Sequence, residues 1–100
     1  MTFELVIDPR AEADLTEIYD FIAERSGWQR AATYIASIER LCFGLTNFPE
    51  RGRSRDDLKP GLRAIAHRRR VLIAYAIDGR RVVILRVFNA GRNVTPEALS

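Results

Sequence analysis

The chain has 100 residues, of which 16 are Lys or Arg and 13 are Asp or Glu, and its formal net charge is +3. This length accommodates one domain with a core large enough to fold alone, and it excludes an extended multidomain enzyme. The content of 47% hydrophobic and 29% charged residues is typical of a globular protein and excludes a disordered chain or a coiled coil. The longest apolar run, Val71 to Ile77, is far shorter than the roughly 20 residues of a membrane span.

Charge is distributed unequally along the chain. Residues 1–50 carry nine acids against four Arg, a net charge of −5, whereas residues 51–100 carry twelve bases against four acids, a net charge of +8. All bases except Lys59 are Arg. Because a guanidinium can bind a carboxylate or a phosphate through two parallel hydrogen bonds, the second half is suited to an anionic partner.

Cysteine and histidine each occur once, as Cys42 and His67. One cysteine cannot form an intrachain disulfide, and the pair cannot supply the four ligands of a structural zinc site. We therefore expect neither a metal nor a cofactor. The N-terminus carries Glu4 and Asp8 where a secretory signal would have a basic patch and a long apolar stretch. This predicts a cytoplasmic protein.

The first predicted elements are a short strand, 2–7, and a helix that begins at Asp8-Pro9. Asp8 can cap the free N–H groups of the first turn, and Pro9 is favoured at the first helical position. The Ser26-Gly27 pair predicts the end of this helix. The apolar positions recur at helical spacing, at Ala11, Leu15, Ile18 and Ile22.

A second amphipathic helix is predicted to follow at once and to be stopped by Pro49. Its apolar stripe comprises Ala31, Ile35, Ile38, Cys42 and Leu45. A connection of about three residues between two helices predicts an antiparallel helix hairpin.

The second half of the chain predicts three strands, roughly 62–67, 70–77 and 80–88. Asp78-Gly79 is a strong signal for a tight hairpin between the last two strands. The polar segment 50–57 is interpreted as a solvated loop, and Thr95-Pro96 predicts a short terminal helix or turn. The fold class is therefore α+β, in a single domain over residues 1–100: an N-terminal strand, an antiparallel helix hairpin and a mainly antiparallel sheet with three C-terminal strands.

Strict alternation along the last hairpin predicts two faces of the sheet. The face packed under the helices would carry Val71, Ile73, Tyr75, Ile77, Val83, Leu85 and Val87. The second face would carry Leu72, Ala74, Ala76, Val82, Ile84, Arg86 and Phe88. Because two helices can cover only one face, we expect the second face to be uncovered and to dock a partner.

Among catalytic chemistries, nucleophilic hydrolysis is disfavoured because Cys42 lies on a core stripe and no G-x-S-x-G elbow occurs. Metal-independent RNA cleavage would need guanidinium groups and a proton carrier. Arg63, His67 and Arg86 are the candidates for it. His67, however, is interpreted as an exposed turn residue with a depressed tendency to protonate. No helix-turn-helix, finger or other nucleic-acid-binding motif accompanies the Arg-rich half.

Four motifs in order resemble the RelE/ParE superfamily of toxins from bacterial type II toxin–antitoxin modules: FPERGR (48–53), DLKPGLR (57–63), IAY (73–75) and ILRVFN (84–89). The chain looks most like the ParE branch. The resemblance implies the RelE/ParE-like fold and a role in modules that stabilise plasmids. Two positions depart from the family pattern, since the usual His of the last motif is Asn89 and the Arg after the Tyr is Ala76.

The resemblance implies a toxin that inhibits DNA gyrase by binding it, rather than an enzyme. Loss of the His to Asn89 argues against the alternative, a RelE-like endoribonuclease that cuts mRNA on the ribosome with Arg63, His67 and Arg86. A toxin relic that only binds its antitoxin is a third possibility.

The implied partner is a ParD-like antitoxin in a hetero-oligomeric complex, with DNA contacted only through the antitoxin. Antitoxin segments carry acids and apolar anchors, which suits the second face of the sheet. The predicted antitoxin contacts are Arg63, Leu72, Ala74, Val82, Ile84, Arg86 and Phe88. Whether Arg63 or Ala64 faces outward depends on the strand register, which the sequence leaves open.

Overall fold

The computed structural model describes residues 2–89 and 95–99. The predicted α+β class, with its N-terminal strand, helix hairpin and mainly antiparallel sheet, is confirmed; one two-residue strand lies inside the segment predicted to be a loop. In chain order the elements are β1 (Glu4–Ile7), α1 (Pro9–Ser26), α2 (Trp28–Gly44), β2 (Arg53–Ser54), β3 (Leu62–His67), β4 (Val71–Asp78), β5 (Arg81–Asn89) and α3 (Pro96–Leu99).

The helix hairpin forms where local signals predict it. The Asp8 carboxylate accepts a hydrogen bond from the N–H of Arg10 at 2.9 Å, and Pro9 is the first helical residue. Gly27 has φ of +89° and lies alone between the two helices, so the connection is even shorter than predicted. No helix within the described ranges is long and apolar enough to cross a membrane.

The sheet has five strands in the order β1-β5-β4-β3-β2, and only the β1–β5 pair is parallel. Both long helices cover the same face. The core between the helices and the sheet contains Ala11, Leu15, Ile18, Ile38, Cys42, Leu45, Val71, Ile73, Tyr75, Val82, Ile84 and Val87.

A β-bulge in β5 alters the predicted faces of the sheet. Ala74 pairs with Arg86 while the next residue, Tyr75, pairs with Ile84, so Leu85 has no opposing residue. The extra residue shifts the alternation by one, as bulges do. Val82 and Ile84 consequently face the helices and are fully buried. The prediction that they line the second face is wrong, and Leu85, predicted in the main core, packs on the opposite side.

Part of the second face of the sheet is covered by α3. Leu99 of α3 is fully buried in a second apolar cluster with Leu62, Ala74 and Phe88. Three further side chains, Leu58, Leu72 and Ala98, pack against this cluster. The prediction of an uncovered face is therefore wrong, because the terminal helix that the sequence predicted folds back onto it.

A buried ion pair joins α1 to β5 beyond the end of β1. The pairing of β1 with β5 stops at Ile84, which leaves the N–H of Val87 without a strand partner. The Asp14 carboxylate accepts that N–H at 2.9 Å and two guanidinium hydrogen bonds from Arg86 at 2.7 and 2.9 Å. Arg86 also donates to the carbonyl of Ala98 at 2.7 Å. One carboxylate and one guanidinium thus connect α1, β5 and α3.

The side chain of Tyr75 on β4 anchors the loop between α2 and β2 to the sheet. The tyrosine hydroxyl donates to the carbonyl of Pro49 and accepts the N–H of Gly52, both at 2.8 Å. A Cβ at Gly52 would lie 2.5 Å from the Tyr75 oxygen, so this position is restricted to glycine by the close approach of the ring. The FPERGR motif is therefore a loop held rigidly against the sheet.

We expect Asp14→Ala to lower the free energy of unfolding by about 3 to 5 kcal/mol, because it leaves a buried guanidinium and a buried N–H unpaired. The Asp14 and Arg86 side chains are only 6% and 15% exposed. Urea denaturation measures the change. Asp78→Ala is the matched control, since it removes an exposed ion pair with Arg81 and should cost less than about 1 kcal/mol. Equal effects of the two substitutions would contradict a structural role for Asp14.

Gly52→Ala should destabilise the fold by about 1 to 3 kcal/mol, because the added methyl group overlaps the Tyr75 ring. Gly44→Ala serves as the control. Its Cβ would meet only Arg51, at 3.9 Å, and alanine is the better helix former, so stability should be unchanged or higher. Thermal unfolding of both variants compares them directly; a neutral Gly52→Ala would show that the loop is not held as described.

Candidate partner-binding site

The structure divides the predicted antitoxin contacts between the two faces of the sheet. Val82 and Ile84 face the helices, and Ala74 and Phe88 lie beneath α3 with 1% and 2% of their surface exposed. Leu72 is the one predicted apolar contact that is half-exposed on the second face. The seven residues therefore do not form a continuous exposed surface.

The two predicted carboxylate partners, Arg63 and Arg86, already have structural roles. Arg86 is bound by Asp14 and by the carbonyl of Ala98. Arg63 lies on the helix side of the sheet opposite Tyr75 and donates to the carbonyls of Glu50 and Gly52 at 3.2 and 2.8 Å. The register that the sequence left open thus turns Arg63 toward the α2–β2 loop.

His67 is buried against α2, which corrects its interpretation as an exposed turn residue. Its side chain packs edge-on against Tyr34, and its Nε2 lies 3.0 Å from the Ser37 hydroxyl oxygen. Because the Ser37 proton is donated to the carbonyl of Tyr34, the hydroxyl accepts from Nε2–H, which sets the tautomer. Nδ1 is buried and has no hydrogen-bond partner among the described residues. Burial, with a smaller contribution from the charge of Arg68, lowers the pKa of His67.

The residues proposed for RNA cleavage do not converge. Arg63 and His67 are four residues apart on one strand, a separation of about 13 Å along it. The side chain of Arg86 lies on the opposite face of the sheet, because Arg86 pairs with Ala74, which faces away from the helices. Cys42 is buried in the core as predicted, and burial raises the pKa of its thiol to about 11. Over residues 2–89 and 95–99, no group of His, Cys, Asp and Glu is arranged to hold a metal ion.

An Arg-rimmed cleft that the sequence did not indicate opens at the far end of the helix hairpin. It has a volume of about 740 Å³ and lies between the second half of α1, the first half of α2, the β3–β4 turn at Arg70 and the end of β5 at Asn89. Its lining consists of Ile18, Phe21, Ile22, Arg25, Ser26, Arg30, Tyr34, Arg70 and Asn89. Its helix residues are 36 or more positions from Arg70 and Asn89, so helical periodicity alone could not reveal it. The sequence feature that could have indicated this cleft is Phe21, an aromatic residue outside the apolar stripe of its helix.

We expect the stability of the protein to fall as the pH is lowered from about 7.5 to 5.5. The folded state holds His67 neutral, with its pKa below the ordinary value of 6.5, so the unfolded chain binds a proton that the folded chain does not. The stability that neutral His67 gives the folded state is fully present above pH 6.5 and is lost as the pH falls below that value. Urea unfolding across this range measures the slope. Because His67 is the only histidine, His67→Gln should remove most of the slope, and persistence of the slope would assign it to other groups.

Comparison with known proteins relates this architecture to one family. Residues 5–94 match the sequence profile of the ParE toxin of the type II toxin–antitoxin system parDE. Toxin ParE3 of Caulobacter vibrioides is 32% identical over 84 residues, which span 84% of this chain and 83% of the relative. Toxin ParE1 of Mycobacterium tuberculosis is 26% identical over 95 residues, which span 94% of this chain and 96% of the relative.

Solved structures share the fold of this chain. A chain of the chromosomal ParDE toxin–antitoxin system from P. aeruginosa matches with a TM-score of 0.77 and 25% identity, covering 88% of this chain and 96% of that chain. A chain of the toxin–antitoxin complex RelBE2 from Mycobacterium tuberculosis shares the fold, with a TM-score of 0.62 and 24% identity over 89% of this chain and 99% of that chain. Because the family profile matches residues 5–94 and a relative is 32% identical over most of its length, the chain belongs to the ParE toxin family of type II toxin–antitoxin systems.

Proposed function

We propose that this ParE-family toxin inhibits DNA gyrase and is neutralised by a ParD-like antitoxin. The complex would be a cytoplasmic hetero-oligomer in a module that stabilises plasmids, with DNA contacted only through the antitoxin. The match to a chain of a ParDE system supports an antitoxin of the ParD type. The proposed activity requires no cofactor, because it depends on binding rather than on a chemical step.

The observation that carries the choice of gyrase over RNA is the separation of the candidate catalytic groups. RNA cleavage requires a proton carrier and cationic groups within hydrogen-bond reach of one phosphate. Here His67 is buried against Ser37 and Tyr34, while the guanidinium of Arg86 is bound by Asp14 on another part of the sheet. The residues that would have to cooperate in a ribonuclease have separate structural roles.

Two parallel assays test this proposal with the purified toxin. Gyrase supercoiling of relaxed plasmid should be inhibited, and addition of the ParD-like antitoxin of the same module should restore it. Translating ribosomes supplied with a defined mRNA should leave that mRNA intact. Cleaved mRNA together with normal supercoiling would overturn the proposal in favour of the ribonuclease, and failure of the toxin to arrest growth would indicate a relic.

His67→Gln provides a discriminating variant for the same assays. It removes the proposed proton carrier of a ribonuclease and replaces it with an amide that can still reach Ser37. Growth arrest and gyrase inhibition should stay within about twofold of the unmodified toxin, whereas loss of general acid–base catalysis would reduce RNA cleavage by about 100-fold or more. Circular dichroism of the variant establishes that it is folded.

A further inference from the structure

Five exposed arginines surround one end of the helix hairpin. Arg25, Arg30 and Arg70 line the Arg-rimmed cleft. A second hollow, with a volume of about 280 Å³, is lined in part by Arg30 and Arg68. Because the two hollows share Arg30, they form one cationic groove that ends at the turn between β3 and β4. Arg69 lies in the same turn and completes the set.

No acidic side chain neutralises these arginines within the cationic groove. No Asp or Glu is among the described residues that line either hollow. Over residues 2–89 and 95–99, the ion pairs are formed by other arginines, namely Arg10, Arg55, Arg81 and Arg86. Like charges that are grouped without counter-charges repel one another, so an anionic ligand would be stabilised by all five.

The β3–β4 turn holds its arginines in an unfavourable backbone conformation. Arg68 and Arg69 have φ of +51° and +60° at the two central positions, a pattern typical of a type I′ turn, in which Asn and Gly are preferred. The N–H of Arg70 closes the turn by donating to the carbonyl of His67 at 3.0 Å. Strained residues persist most often at functional sites. Here arginine supplies positive charge at the expense of turn stability.

The chemistry of the arginine group favours the phosphates of a duplex over those of a single strand. Proteins that bind single strands stack the bases on free aromatic rings. The exposed ring of the groove, Phe21, is already stacked beneath Arg25, whose guanidinium carbon lies 3.8 Å from the ring centre. A duplex instead presents one negative charge per about 1.7 Å of its axis, so several arginines can each bind a phosphate bidentately.

We propose that the β3–β4 turn and the adjoining cationic groove bind the phosphate backbone of duplex DNA without reading its sequence. Arg68, Arg69 and Arg70 contact phosphates at the turn. Arg25 and Arg30 extend this contact along the groove. The inference concerns the free toxin, whereas the proposed complex contacts DNA through its antitoxin. The choice of DNA over RNA rests on the proposed function, because gyrase acts on duplex DNA.

Fluorescence anisotropy with a labelled 20-base-pair DNA and the full-length toxin tests the proposal. The unmodified toxin should bind with a dissociation constant of about 1 to 100 μM at 150 mM salt, and more tightly as salt is lowered to 50 mM. Arg68→Asn/Arg69→Gly should weaken binding at least tenfold at 50 mM salt. Because two phosphate contacts are lost, the slope of log K against log salt should become shallower by about 2.

The same double substitution separates binding from folding. Asn and Gly are the residues that a turn with two positive φ angles prefers, so the variant should unfold at the same temperature as the unmodified toxin or at a higher one. Arg80→Asn/Arg81→Asn is the matched control, since it removes two charges from the exposed turn about 25 Å away at the other end of β4. The affinity of this control should change less than threefold. An equal loss in both variants would show that binding follows net charge, and would overturn the inference.

The remaining outcomes distinguish this inference from the proposed function. If the toxin inhibits supercoiling but does not bind the duplex at 50 mM salt, the inference fails and the proposed function stands. If the toxin binds the duplex through the turn but leaves supercoiling normal, the inference stands and the proposed function fails. If the turn binds a 20-nucleotide RNA or phosphatidylglycerol vesicles at least tenfold more tightly than the duplex, the site belongs to another polyanion and the inference is overturned.

Discussion

The ion pair between Asp14 and Arg86 is the interaction on which the arrangement of the other elements depends. It spans 72 positions of sequence and joins the first helix to the last strand at the point where β1 no longer pairs with that strand. Its carboxylate satisfies the N–H of Val87, and its guanidinium satisfies the carbonyl of Ala98. A buried charge without a partner is strongly destabilising, so α1, β5 and α3 must take up these positions together.

The bulge at Leu85 determines which residues each face of the sheet presents. One additional residue in β5 turns Val82 and Ile84 toward the helices while Arg86 and Phe88 remain on the opposite side. Arg86 lies beyond Ile84, where the pairing of β1 with β5 ends, and there it binds Asp14 of α1. Leu99 then packs on the second face and completes a second apolar cluster, while Leu72 remains half-exposed beside it.

The positive charge of the second half consequently has two different uses. Arg63 and Arg86 bind backbone carbonyls and a buried carboxylate, and they stabilise the fold. Arg68 and Arg70 lie at the β3–β4 turn, where they join Arg25 and Arg30 of the otherwise acidic first half. A cationic groove therefore arises from both halves of the chain, and a division of charge at the midpoint of the sequence does not describe it.

The sequence by itself determined the class of fold, the helix hairpin, the three long strands and the resemblance to a toxin family. These depend on local signals, such as the Asp8 cap, the Asp78-Gly79 turn and apolar periodicity, which act over a few residues. Only the tertiary structure decided which face each strand residue occupies, what covers the second face, that His67 is buried and where the cationic groove lies. A one-residue bulge inverts the alternation of side chains along a strand, and local patterns do not reveal it. The partners of Asp14 and His67 are distant in sequence, so the contacts of these two residues form only once the helices pack on the sheet.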